Sequence, residues 1–142
     1  MYAEDIASLL NAYSAFNDGG GVEAILQHLG SEFQVRDRES SPDRETRFGR
    51  EGVKQLFDSY MEAFDALRLE PVEFIEAGDQ IVVSLRQRVR GKGSGAEVTG
   101  TVAHVWAMRR GAAQRLRIFA DKEKAMEVLA AEGSLSGPGS TL

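Results

Sequence analysis

The chain has 142 residues, 42% hydrophobic and 27% charged, which is enough apolar content for one domain core and too much for a disordered chain. Seventeen Lys and Arg against 22 Asp and Glu leave a net charge of −5, which argues against a dedicated nucleic-acid binder with its basic face. Cysteine is absent and the only histidines are His28 and His104, so disulfides, thiolate catalysis, cysteine metal sites and a three-histidine zinc site are excluded.

Ile6, Leu9, Leu10, Tyr13 and Phe16 recur at three- and four-residue steps and predict an amphipathic helix over 3–17. Asn17-Asp18-Gly19-Gly20-Gly21 stops it, because glycine accepts left-handed geometry at a helix end. Val22–Leu29 reads as a short second helix closed by Gly30, and residues 33–37 alternate as a half-buried strand does. Residues 38–49, charged and carrying Pro42, suit an exposed loop with a short extended piece near Arg47-Phe48. Gly49-Arg50-Glu51-Gly52 leads into a third helix with Val53, Leu56, Phe57, Tyr60, Met61 and Phe64 on one face.

After Pro71 the pattern changes to strands, over 71–77, 80–91, 96–109 and 113–120, separated by glycine-bearing turns. Tight turns between consecutive strands predict an antiparallel meander. The strand over 96–109 is too long to run straight in so small a domain, and Gly100 is the expected kink. A last helix follows over 121–131. The domain is expected to span 1–132, with 133–142 a flexible Gly/Ser tail. The order predicts an α+β fold, a curved antiparallel β-sheet wrapped around three helices from the N-terminal half, forming a cone with an interior pocket.

Several apparent motifs carry no chemistry. Gly91, Gly93 and Gly95 have GxGxG spacing and precede a strand, so they mark a hairpin turn, and no helix N-terminus awaits a phosphate. Arg86, Arg88, Arg90 and Lys92 share one strand face; they read as a solvated outer face or an interface with acidic partners, with an anion-binding stripe as the alternative. No serine sits in a nucleophile elbow, and His28 reads as structural or exposed. No apolar run approaches the about 20 residues that span a bilayer. The first ten residues lack the basic start and apolar stretch of a signal peptide; a cytoplasmic protein is expected.

The run Tyr13 … Val22-Glu23-Ala24-Ile25-Leu26, then Phe33-Gln34-Val35-Arg36-Asp37, then Phe48-Gly49-Arg50-Glu51-Gly52-Val53, resembles SnoaL-like polyketide cyclase domains of the nuclear transport factor 2-like superfamily. Val98 to Gly111, with His104-Val105-Trp106, and Asp121 before the closing helix fit the same pattern. The resemblance covers about 3–131 and implies a curved sheet packed on three helices. Within that superfamily the ketosteroid isomerases use a helix-one tyrosine, an aspartate base ending the first strand and a second acid on a central strand. Tyr13 and Asp37 fall at the first two places, and the third holds His104. A histidine there can donate to an oxyanion or act as a base.

The catalytic candidates are therefore Tyr13, Asp37 and His104. The substrate-binding candidates are Phe16, Phe57, Gln87, Val102, Trp106, Leu116 and Ile118. No cofactor and no metal are expected. The expected partner is a small apolar or aromatic carbonyl compound, isomerised or cyclised by proton transfer: Asp37 or His104 moves the proton while Tyr13 hydrogen-bonds the substrate oxygen. Each residue also has a structural reading: Tyr13 and Trp106 as core, Asp37 as a turn cap or surface ion pair, His104 as a satisfied interior histidine. The alternative function is a non-catalytic domain that binds a hydrophobic ligand or dimerises. A homodimer is expected through the convex sheet face, where Thr99, Thr101, Ala103 and Val105 are short and uncharged.

Overall fold

The computed structural model of the chain describes residues 2–38 and 45–133; the loop around Pro42 and the tail beyond Gly133 lie outside the described residues. In chain order the elements are α1 (Tyr2–Ala15), a wider helical turn at Phe16–Gly20, α2 (Gly21–Leu26), β1 (Leu29–Arg36), β2 (Arg47–Phe48) and α3 (Gly49–Ala63). Strands β3 (Phe64–Ala77), β4 (Gln80–Gly91), β5 (Glu97–Arg109) and β6 (Ala112–Phe119) follow, and α4 (Lys122–Ala131) closes the domain. Gly19 and Gly21 have φ of +104° and +59°, conformations costly for a side-chain-bearing residue, so the glycine run turns the chain from α1 into α2. The fold is α+β, as expected.

The six strands form one sheet in the order β2-β1-β6-β5-β4-β3. The β3–β6 meander is antiparallel throughout, but β1 pairs parallel with β6. The sheet is thus mixed and not all antiparallel, because β1 arrives after two helices have carried the chain across the concave face. Strand β3 begins at Phe64, seven residues before the expected start, so Phe64 ends the α3 face and opens the strand. Pro71 lies inside β3 at a register shift; β3 is an edge strand, where a missing N–H is tolerated. Pairing between β4 and β5 runs unbroken through Gly100, opposite Gln87. The register shifts sit instead at Leu29/Gln34, Phe64/Ala66, Pro71/Glu73 and Ala107/Met108, where a ladder donor is missing or a residue is extra.

Helices α1–α3 fill the concave face. Leu9, Tyr13, Leu26, Val53 and Leu56 pack there against Phe33, Val83, Leu85, Val102 and Trp106. Asn17 fixes this layer to the sheet edge: its side-chain amide donates to Leu69 O (2.7 Å) and accepts from Leu69 N (2.9 Å), as a neighbouring strand would. Helix α4 lies on the opposite face, where Ala125 and Leu129 pack on Ala77, Val82, Ala103 and Val105. This corrects the expectation for the convex face: Ala103 and Val105 are fully buried under α4, and of the four residues only Thr99 and Thr101 are exposed. Their short side chains make room for a helix. The arginine stripe is a solvated face with acidic partners in the same chain, Arg90 with Asp65 (2.6 Å) and Arg86 with Glu70 (3.8 Å). Among the described residues no helix is long and apolar enough to cross a membrane.

Candidate functional site

Tyr13 lies one turn beyond Leu9 on the buried stripe of α1. Alternation along β5 puts Val102, His104 and Trp106 on the concave face, with His104 between Val83 and Ile118 of the neighbouring strands. The three polar side chains meet: Trp106 Nε1 donates to Tyr13 Oη (2.8 Å), and Tyr13 Oη lies 2.6 Å from His104 Nδ1. An indole N–H can only donate, so the phenol accepts from Trp106, and His104 Nδ1 is the one acceptor that the described residues place against the phenol's own proton. This pattern assigns Nδ1 as the acceptor and leaves the proton of the neutral ring on Nε2. Burial pushes His104 down to about 3 and raises the Tyr13 phenol far above its ordinary value, partly offset by Trp106. Both groups are therefore neutral near pH 7.

His104 forms part of the wall of a cavity of about 80 Å³ on the concave face. Phe16, Val22, Ile25, Phe33, Val35, Val53, Leu56, Phe57, Leu67, Leu69, Val102, Leu116 and Ile118 supply its apolar lining, and Tyr60, Gln87 and His104 its polar groups. Six of the expected substrate-binding residues, Phe16, Phe57, Gln87, Val102, Leu116 and Ile118, thus line one space. Trp106 and Tyr13 do not; they stand behind His104 and hold it.

Asp37 continues the inward face of β1 after Phe33 and Val35, and is only 4% exposed. Its carboxylate accepts from Tyr60 Oη (3.1 Å to Oδ1, 3.0 Å to Oδ2) and from Arg38 N (2.8 Å). Asp37 lines a second, larger cavity of about 610 Å³, and Tyr60 links it to the small one. Tyr60 is the site residue that sequence reasoning left on the α3 face; the signal was its place four residues after Leu56 and three after Phe57, on the stripe that meets the cavity. His28 has a structural role: Ser8 Oγ donates to Gly111 O (2.8 Å) and lies 3.0 Å from His28 Nδ1, so the hydroxyl proton is spent on a carbonyl and Ser8 is no nucleophile. Among the described residues no group of three or more His, Asp or Glu is placed to hold a metal ion.

No curated protein matches the chain significantly. Among solved structures, TerC co-crystallised with polyporic acid is 28% identical, with 89% of this chain and 98% of TerC covered and a TM-score of 0.73. An NTF2-like protein of unknown function from Burkholderia pseudomallei is 23% identical, covering 87% and 95% at a TM-score of 0.73. A protein with a ketosteroid isomerase-like fold from Catenulispora acidiphila, in complex with trimethylamine, is 13% identical, covering 81% and 85% at 0.68; these last two likenesses are of fold. The family model of the SnoaL-like domain matches residues 9–116. With its helices on a curved sheet and its polar groups gathered on the concave face, the chain belongs to the SnoaL-like domain family.

Proposed function

We propose that the chain is a cofactor-free acid/base enzyme that binds a small, largely apolar carbonyl compound in the concave cavity and isomerises or cyclises it. The observation that carries this reading is the buried chain Trp106–Tyr13–His104, which ends on the wall of an otherwise apolar cavity. A neutral imidazole with its proton on Nε2 is a fixed donor for a carbonyl oxygen, and stabilises the oxyanion that forms when a neighbouring carbon loses a proton. Tyr60 bridges the cavity to Asp37. The substrate proton passes to Tyr60 Oη as Tyr60 hands its own to the carboxylate, and the resulting acid returns it at the new position. Tyr13 then acts through His104 and not on the substrate directly.

A SnoaL-like family membership and a solved relative co-crystallised with polyporic acid support a small organic ligand. The cavity volume favours a second reading: about 80 Å³ is small beside the roughly 300–1,000 Å³ of common ligand sites, as in a binding domain or a filled core. Thermal shift against cyclic ketones and aromatic aldehydes, followed by mass analysis of any stabilising compound, separates the two. Recovery of a product lost in Asp37→Asn supports the enzyme; a stabilising compound recovered unchanged by both proteins makes it a binder. The chain is proposed to form a homodimer through the part of the convex face that α4 leaves open, around Arg88, Thr99 and Thr101.

A further inference from the structure

The larger cavity adjoins the concave one, sharing Ile118 with it. It is a groove of about 610 Å³ between the C-terminal ends of β1 and β6 and the flank of α4. Its floor is apolar, built from Ile118, Phe119, Ala120 and Val128, and its rim is charged. The acids on the rim are all engaged. Glu132 holds Arg117 through both oxygens, at 2.7 and 3.1 Å. Asp121 caps α4 by accepting from Lys124 N at 2.8 Å. Asp37 is occupied by Tyr60 and the Arg38 amide.

Among the described residues the cations are not all balanced. Arg117 is spent on Glu132 and Gln80, and Lys124 meets the exposed Glu127 at 3.1 Å. Among the described residues Arg36 has only the Thr46 hydroxyl, at 3.3 Å. The Arg38 guanidinium has no acid partner among the described residues. Two planar guanidinium forks, two residues apart on one strand end, border an apolar floor in a chain whose net charge is −5. A guanidinium fork matches a carboxylate with two parallel hydrogen bonds, and an apolar floor takes a hydrocarbon body.

We infer that this groove is a binding site for an organic carboxylate with an apolar body, its head between Arg36 and Arg38 and its body on Ile118, Phe119 and Val128. The site shares Ile118 with the concave cavity and Asp37 with the proposed proton path, but its test reads binding at the arginine end and does not pass through turnover, so it stands or falls separately from the proposed reaction.

The experiment is a ¹⁵N-detected titration of the full chain with octanoate, 1-octanol and inorganic phosphate. Octanoate shifts the amides of Phe119, Lys124 and Val128, and binds at least tenfold more tightly than either control. Arg36→Gln/Arg38→Gln weakens octanoate at least tenfold, and Lys124→Gln, at an exposed position that leaves the fold intact, weakens it about threefold. Raising the salt weakens it further. The inference is overturned if octanol binds as well as octanoate, if phosphate alone binds as tightly, if the arginine and lysine variants both keep wild-type affinity, or if the shifts map to Leu69 and Val102 of the concave cavity.

Discussion

Tyr13 Oη sits 2.6 Å from His104 Nδ1 while accepting from Trp106, so one phenol fixes both the tautomer and the orientation of the imidazole. Such a relay is costly to break in a dry interior. Tyr13→Phe keeps the ring packing but leaves Trp106 Nε1–H and His104 Nδ1 without partners, at about 1–3 kcal/mol for each group. A lowered urea midpoint is expected, with a shift of the His104 ring ¹⁵N signals as the Nε2–H tautomer loses its lock. Unchanged ring signals would mean that Tyr13 does not set the tautomer.

The same burial gives a pH dependence with a defined sign. His104 is held at about 3 in the folded chain, against about 6.5 for an unfolded histidine. Between these values the unfolded state binds the extra proton, so stability falls as pH drops from about 6.5 towards 3, by up to about 1.4 kcal/mol per pH unit from this group. Above pH 6.5 the group is neutral in both states and contributes no slope. Denaturant titrations of wild type and His104→Gln from pH 7 to 4 isolate the effect, because the carboxylates titrate in both. The wild-type slope should be steeper by up to one proton.

The inward direction of these groups was legible in the sequence, since alternation fixes it wherever one face of a strand is buried. Val102, His104 and Trp106 on β5 and Val35 and Asp37 at the end of β1 all face as period two requires. Partnership was not legible. Whether Tyr13 meets a ligand or a histidine depends on where α1 lies over β5, 91 residues away in the chain. Nor could periodicity show which face of β5 was convex and free: Ala103 and Val105 have the small side chains of an uncharged interface, and α4, folded back from the chain end, covers them. Pro71 misled in another way, because a proline that would break a central strand is harmless on an edge.

Asp37→Asn is the sharpest test of the proton path. The asparagine retains an oxygen for Tyr60 Oη and Arg38 N, so the fold and the thermal midpoint should hold within about 1 kcal/mol. It cannot take up a proton, and turnover should fall by about 10²–10⁴. Tyr60→Phe should lower kcat less severely, because the carboxylate survives and only the bridge is lost. A Tyr60→Phe variant with full kcat would show that Asp37 reaches the substrate unaided.

The open part of the convex face carries its own prediction. Arg86, Arg88 and Arg90 pair across the ladder with Thr101, Thr99 and Glu97, and Arg68 and Glu70 lie on the next strand at 2.7 Å from each other. Positive and negative groups alternate across this surface, so a twofold copy can set each arginine against an acid of its mate. Sedimentation velocity at micromolar concentration should therefore give twice the chain mass of 15.5 kDa. Arg88 is exposed and lies opposite another arginine, Arg68 of β3, so Arg88→Glu relieves a like-charge contact within the chain. Glu70, which Arg88 attracts, offsets that gain, so the monomer fold should stay about as stable while the species shifts towards monomer, since the inserted acid now meets acids across the twofold. A wild-type chain that sediments as a monomer overturns the interface, and a dimer unmoved by Arg88→Glu places it elsewhere.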